Sequence, residues 1–85
     1  MMMKNRNQSY EALREAARVA GSQAAVAALC GKKQPHFQQW LRSHKGVPAE
    51  YCMAIEKGTG VTCEQLRPDL ADQWQFLRST GRQAP

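Results

Sequence analysis

Seven polar side chains crowd one short stretch of this chain: Lys33, Gln34, His36, Gln38, Gln39, Arg42 and Lys45. Their types suit hydrogen bonding and charge pairing rather than covalent chemistry. A glutamine carboxamide can pair bidentately with adenine N6 and N7, and an arginine or lysine with guanine O6 and N7. Lys33 and Lys45 can also neutralise phosphates without reading bases. Between Glu15 and Glu50 there is no Asp or Glu, whereas Arg18, Lys32, Lys33, Arg42 and Lys45 all fall there. That segregation makes nucleic acid the first partner to test. The plainer alternative is a solvated polar face, and His36 and His44 read first as surface or DNA-proximal imidazoles.

The elements that must position these groups lie in residues 22–42, which read as two short helices joined by a tight turn. Counting Gln23 as first, Ala27 is fifth, Gly31 ninth, Phe37 fifteenth and Trp40 eighteenth. A small residue at the fifth place lets two helix axes approach, and Gly at the ninth takes positive φ at no steric cost. Phe37, Trp40 and Leu41 pin the second helix to the core, as Val26, Leu29 and Cys30 pin the first. Ser22 can cap the first of the two helices. Two residues depart from the usual turn. Lys32 stands at an apolar place, so either its stem packs while its ammonium escapes or the turn is looser. Pro35 loses no hydrogen bond in a first helical turn but disfavours helical geometry before it, which predicts a helix starting at Pro35 with Gln34 at the cap.

With these residues in place, the stretch resembles the helix-turn-helix of Cro/CI-type phage repressors. From the first helix through L-R-P-D-L at residues 66–70, and with Trp40 and the run G-V-P-A-E, the chain is similar to the YdaS-type Cro-like family of prophages. The resemblance implies an all-α, five- to six-helix, lambda-repressor-like bundle and a sequence-specific DNA-binding transcriptional regulator, a Cro-like repressor. Its partner would be double-stranded operator DNA, with a recognition helix of about residues 35–42 in the major groove. In such repressors the glutamine equivalent to Gln23 can touch a phosphate and brace the recognition helix. One short helix touches few base pairs, so a homodimer is expected, at least on DNA. Members of the family are often labelled antitoxins, which implies an alternative: a protein-interaction module that binds a toxin partner.

At 85 residues with net charge +5, the chain has room for one small domain. Cys30, Cys52 and Cys63 are odd in number and fall at inward helical places, which predicts buried, reduced thiols. No paired Cys or His spacing suits zinc, so neither a metal nor a cofactor is expected. No apolar run is long enough for a signal core or membrane span, which points to the cytoplasm. Nothing resembles a nucleophile with its base or a phosphate-cradling loop, so no enzyme is expected.

Residues 1–7 read as a disordered polar arm, residues 8–70 as the DNA-binding domain and residues 71–85 as a C-terminal helix and tail. Leu13, Ala16, Ala17 and Ala20 repeat at helical spacing, with Ser9 placed to cap that helix and Gly21 to end it. Pro48 suits the start of a fourth helix through Lys57, with Cys52 and Ile55 inward and Gly58 and Gly60 closing it. Thr62 caps a short fifth helix, and Val61 and Leu66 complete the core. A sixth helix of about residues 68–78 would carry Leu70, Trp74 and Leu77 on one face, with a frayed end after it. That stripe either folds over the core or forms a dimer or partner interface.

Overall fold

Apolar side chains at helical spacing, punctuated by glycines, set the architecture. The computed structural model describes residues 6–81. Over these the chain forms α1 (Tyr10–Ala20), α2 (Gln23–Leu29), α3 (Gln34–Arg42), α4 (Ala49–Thr59), α5 (Cys63–Leu66), a 3-10 turn (Pro68–Leu70) and α6 (Ala71–Gly81). No strand occurs among the described residues, and the fold is the expected small all-α bundle. The arm expected over residues 1–7 lies mostly outside the described residues. Asn7, however, is bound into the fold.

In α1, Leu13 and Ala16 are fully buried, and Gly21 ends the helix with φ 106°, its N–H donating to the Ala17 carbonyl. Ser9 stands at the cap position but makes no capping bond. Its hydroxyl is completely buried, donates to the Leu66 carbonyl at 2.6 Å and accepts the Val47 N–H at 3.1 Å. Tertiary partners have won the oxygen that a helix cap would use.

Ser22 does cap α2, accepting the Ala25 N–H at 3.0 Å. Val26 and Ala27 are fully buried, and Ala27 lets α2 and α3 cross closely. Cys30 is half-buried and packs against the core as expected, whereas Leu29, expected inward with it, is 40% exposed. Leu29 instead lies over Gly58 of α4, where a Cβ would come within 2.5 Å of Leu29 Cδ1. Gly58 therefore sits inside α4 as a packing notch, and Gly60 at φ 84° closes the helix.

The turn is a Schellman motif. Gly31 takes φ 73°, its N–H reaches the Ala28 carbonyl at 3.0 Å, and the Lys32 N–H reaches that of Ala27 at 2.9 Å. With both bonds formed, Lys32 packs its stem, half-buried, and holds its ammonium 5.8 Å from the Tyr51 ring centroid. α3 begins one residue earlier than expected: Lys33 is the cap in extended geometry, Gln34 is helical and Pro35 lies in the first turn. The steric push of a proline on its predecessor disfavours the helical region without forbidding it. Phe37 and Trp40 are buried, with Trp40 5.3 Å from the Tyr51 ring that covers it.

Val47, Cys52, Ile55, Val61, Cys63 and Leu66 complete the core. α5, only four residues long, is held by a capping box between Thr62 and Gln65. The C-terminal stripe is split. Trp74 is 5% exposed and donates its indole N–H to the Arg67 carbonyl at 3.0 Å, so it belongs to the chain's own core rather than to an interface. Leu70 is half-buried against that core and Leu77 is 48% exposed. The helix also starts later and runs further than expected, since the segment from Pro68 first makes a 3-10 turn. Residues 82–85 of the expected frayed end lie outside the described residues.

Candidate nucleic-acid interface

The face of α3 that carries the candidate side chains is set by its two buried anchors. Because Phe37 and Trp40 point inward, Gln34, His36, Gln38, Gln39 and Arg42 are exposed, with Lys33 at the leading end and Lys45 beyond the trailing end, also exposed. The structure thus gathers the seven polar residues around one helix. Gln23, at the first turn of α2, is half-buried beside it. Its Oε1 accepts from Gln34 Nε2 at 3.3 Å and from Gln38 Nε2 at 3.2 Å. Each donating amide nitrogen carries a second hydrogen, so this contact leaves Gln38 one further donor and its carbonyl.

The other end of α3 is held by a residue that sequence reasoning missed. Asn7 Nδ2 lies 2.8 Å from the Trp40 carbonyl, 3.2 Å from that of Leu41 and 2.7 Å from that of Ser43. These carbonyls are among those a helix leaves unpaired at its C-terminus. Its neighbours extend the clamp. Gln8 donates to the Lys45 carbonyl at 3.0 Å and accepts the Asp69 N–H at 3.1 Å, and Ser9 ties Val47 to Leu66. Gly46, at φ 94°, packs so closely that a Cβ there would come within 2.1 Å of Ser9 Oγ. The only sequence signal was the polar run N-Q-S directly before α1.

Four arginines among the described residues are held in ion pairs. Arg78 binds Glu56 and Glu64, Arg67 binds Asp69 in bidentate fashion, Arg18 binds Glu15 and Arg6 binds Glu11. The Arg78 guanidinium pulls the Glu56 carboxyl down to about 2, and the Glu64 and Asp69 carboxyls are held low by Arg78 and Arg67. Among the described residues, by contrast, no ion pair involves Lys32, Lys33, Arg42 or Lys45. Their charge is left to act outward, as a phosphate-binding surface requires.

Burial raises all three thiols, Cys52 to about 11 and Cys63 to about 12, which leaves them protonated and unreactive at neutral pH. Among the described residues no group of His, Cys, Asp and Glu could hold a metal ion, and no helix is long and apolar enough to cross a membrane.

The family described as "Bacterial toxin YdaS" matches residues 13–75, a span that includes α2, the turn and α3. A protein of Escherichia coli (strain K12) named "Putative transcriptional regulator YdaS" is 42% identical over 81 residues, which cover 93% of this chain and 78% of that protein. No solved structure matches the chain. With the family match spanning the helix-turn-helix and that identity running along nearly the whole length, the chain belongs to the YdaS family.

Proposed function

We propose that this chain is a sequence-specific regulator of transcription that binds double-stranded DNA in the cytoplasm and lays α3 in the major groove as a Cro-like repressor of prophage origin. The observation that carries the reading is the exposed, acid-free face of α3, braced at its leading end by Gln23 and left with unneutralised lysines at its flanks. The name of the Escherichia coli relative supports the regulator role. In this reading Gln38, Gln39, Gln34 and His36 meet base edges, Gln23, Lys33 and Lys45 meet phosphates, and Arg42, at the end of α3, stands where the groove meets the backbone. Binding is by two protomers on half-sites about 34 Å apart, one turn of the duplex.

Footprinting at the promoter of the neighbouring gene, followed by quantitative binding, tests this. Lys33→Ala or Lys45→Ala weakens all sequences alike and flattens the salt dependence by about 0.9 in log-log slope for each phosphate no longer neutralised. Gln38→Ala or Gln39→Ala lowers operator affinity selectively, by roughly 1–3 kcal/mol for a bidentate base pairing. If all four substitutions leave the ratio of specific to non-specific binding untouched, this face does not read bases. A footprint on a single half-site with one protomer would overturn the dimeric arrangement.

The family's description as a toxin favours a second reading, in which the chain acts through a protein partner. Growth inhibition that persists on expressing a variant blind to its operator would support it.

A further inference from the structure

We propose that the cavity between the N-terminal turn and the end of α3 binds a phosphodiester of the DNA backbone, so that Arg6 becomes a DNA-binding residue delivered from outside the helix-turn-helix. This rests on the DNA-binding reading above. The cavity measures about 410 Å³ and is lined by Arg6, Asn7, Arg42, Ser43 and His44. Two arginines and a histidine line it, and no carboxylate does.

A helix C-terminus is ordinarily a poor place for an anion, because its unpaired carbonyls carry the negative end of the helix dipole. Here Asn7 places its amide hydrogens against three of those carbonyls, at 2.7–3.2 Å. That arrangement offsets the repulsion an incoming phosphate would meet, and it fixes Arg6, one residue earlier, beside Arg42. Arg6 is pre-positioned in two further ways: its guanidinium stacks 4.4 Å from the Tyr10 ring centroid, and one Nη donates to Glu11 at 2.8 Å. A guanidinium has five N–H donors, so others remain for phosphate oxygens. The Glu11 side chain is 78% exposed, and its pull on Arg6 is screened by water. The floor is rigid as well. Ser43 Oγ accepts the Gly46 N–H at 3.0 Å and donates to the Gly46 carbonyl at 2.9 Å, closing the loop behind His44. A recognition helix ends where the groove meets the sugar-phosphate backbone, which is where a phosphodiester would stand.

The test is the salt dependence of the full-length chain on its operator and on an unrelated duplex. Arg6→Gln flattens the log-log slope by about 0.9 and weakens both duplexes by the same factor. Arg6→Lys, which keeps the charge, retains the slope. Arg14→Gln is the control, since Arg14 stands at 5.9 Å over the same Tyr10 ring but does not line the cavity, and it leaves the slope as in the wild type. An unchanged slope in Arg6→Gln, or an equal flattening in Arg14→Gln, overturns the site while leaving the DNA-binding reading intact. A wild-type chain with no affinity for any duplex overturns both. Inorganic phosphate at constant ionic strength separates the sources. His44 ring resonances that shift with duplex but not with phosphate support binding to the DNA backbone. Equal shifts with phosphate alone mark a free-anion pocket and overturn the assignment to DNA.

Discussion

Ser9→Ala tests whether the N-terminal turn is structural, and its cost can be worked from two hydrogen bonds. The hydroxyl is fully buried and serves two backbone groups, the Leu66 carbonyl at 2.6 Å and the Val47 N–H at 3.1 Å. Alanine keeps the Cβ and removes only the oxygen that faces Gly46, so the loss is chiefly one of hydrogen bonding. Each buried group left without a partner costs about 1–3 kcal/mol, and allowing for partial relaxation the pair should cost about 2–4 kcal/mol. A chain of this size has a total stability on the order of 4–13 kcal/mol. At about 4–8 °C per kcal/mol, the melting midpoint should fall by about 8–32 °C. Ser22→Ala is the internal standard, because its oxygen caps α2 at an exposed site and its loss costs only about 1 kcal/mol. Thermal melts of both variants by far-UV circular dichroism decide the matter. A fall for Ser9→Ala no larger than that for Ser22→Ala would refute the claim that this hydroxyl pins the loop behind α3 to α5.

Glu56 should make stability depend on acid. Its carboxyl is held at about 2 against an ordinary 4.5 by Arg78 and the Cys63 N–H, so its contribution is complete above the ordinary value and is lost as pH falls toward about 2. The difference in melting midpoint between wild type and Glu56→Gln should therefore be largest at neutral pH and shrink through that window. Cys52 and Cys63, raised by burial, should resist iodoacetamide in the native chain at mildly alkaline pH and react promptly once denatured; fast native labelling of either would refute their burial. Truncation after Asp69 removes Trp74 and Arg78 together. It should lower the melting midpoint of the monomer, by an amount comparable to the roughly 3–5 kcal/mol of a buried Trp→Ala change, whatever sedimentation shows of self-association.

Where local rules decide the structure, the sequence was readable. Gly31 at positive φ, Ala27 at the crossing and the Phe37–Trp40 pair each follow from steric or periodic constraints within a few residues, and together they placed the face of α3. Short-range chemistry misled at Pro35, by one residue, at Ser9, whose hydroxyl tertiary partners took from the helix cap, and at Gly58, which lies inside α4 rather than at its end. The tail was harder. Periodicity gave the stripe of Leu70, Trp74 and Leu77 but could not say what would cover it, because the deciding hydrogen bond, from the Trp74 indole to the Arg67 carbonyl, depends on where the chain turns at Pro68. Asn7 was out of reach for a different reason. Its partners lie more than thirty positions away, and a carboxamide that caps another helix leaves no periodic trace.

The two ends of α3 are held by the same kind of group, and the choice has an electrostatic consequence. Gln23 accepts hydrogen bonds at the leading end, and Asn7 donates them at the trailing end. A carboxylate at either place could also orient a neighbour: as an acceptor for two amides at the first, or through a bound cation at the second. Each would put a full negative charge within a few ångströms of the surface proposed to meet phosphates. At about ε 20, a unit charge 4 Å away is worth about 4 kcal/mol, far more than a neutral hydrogen bond contributes. Carboxamides hold the helix rigidly at no such cost. The ion pairs of Arg67 and Arg78 are made in and around α4–α6 instead, where rigidity is needed and no anion has to approach. The residues that brace the two ends of α3 thus leave the positive potential over it intact.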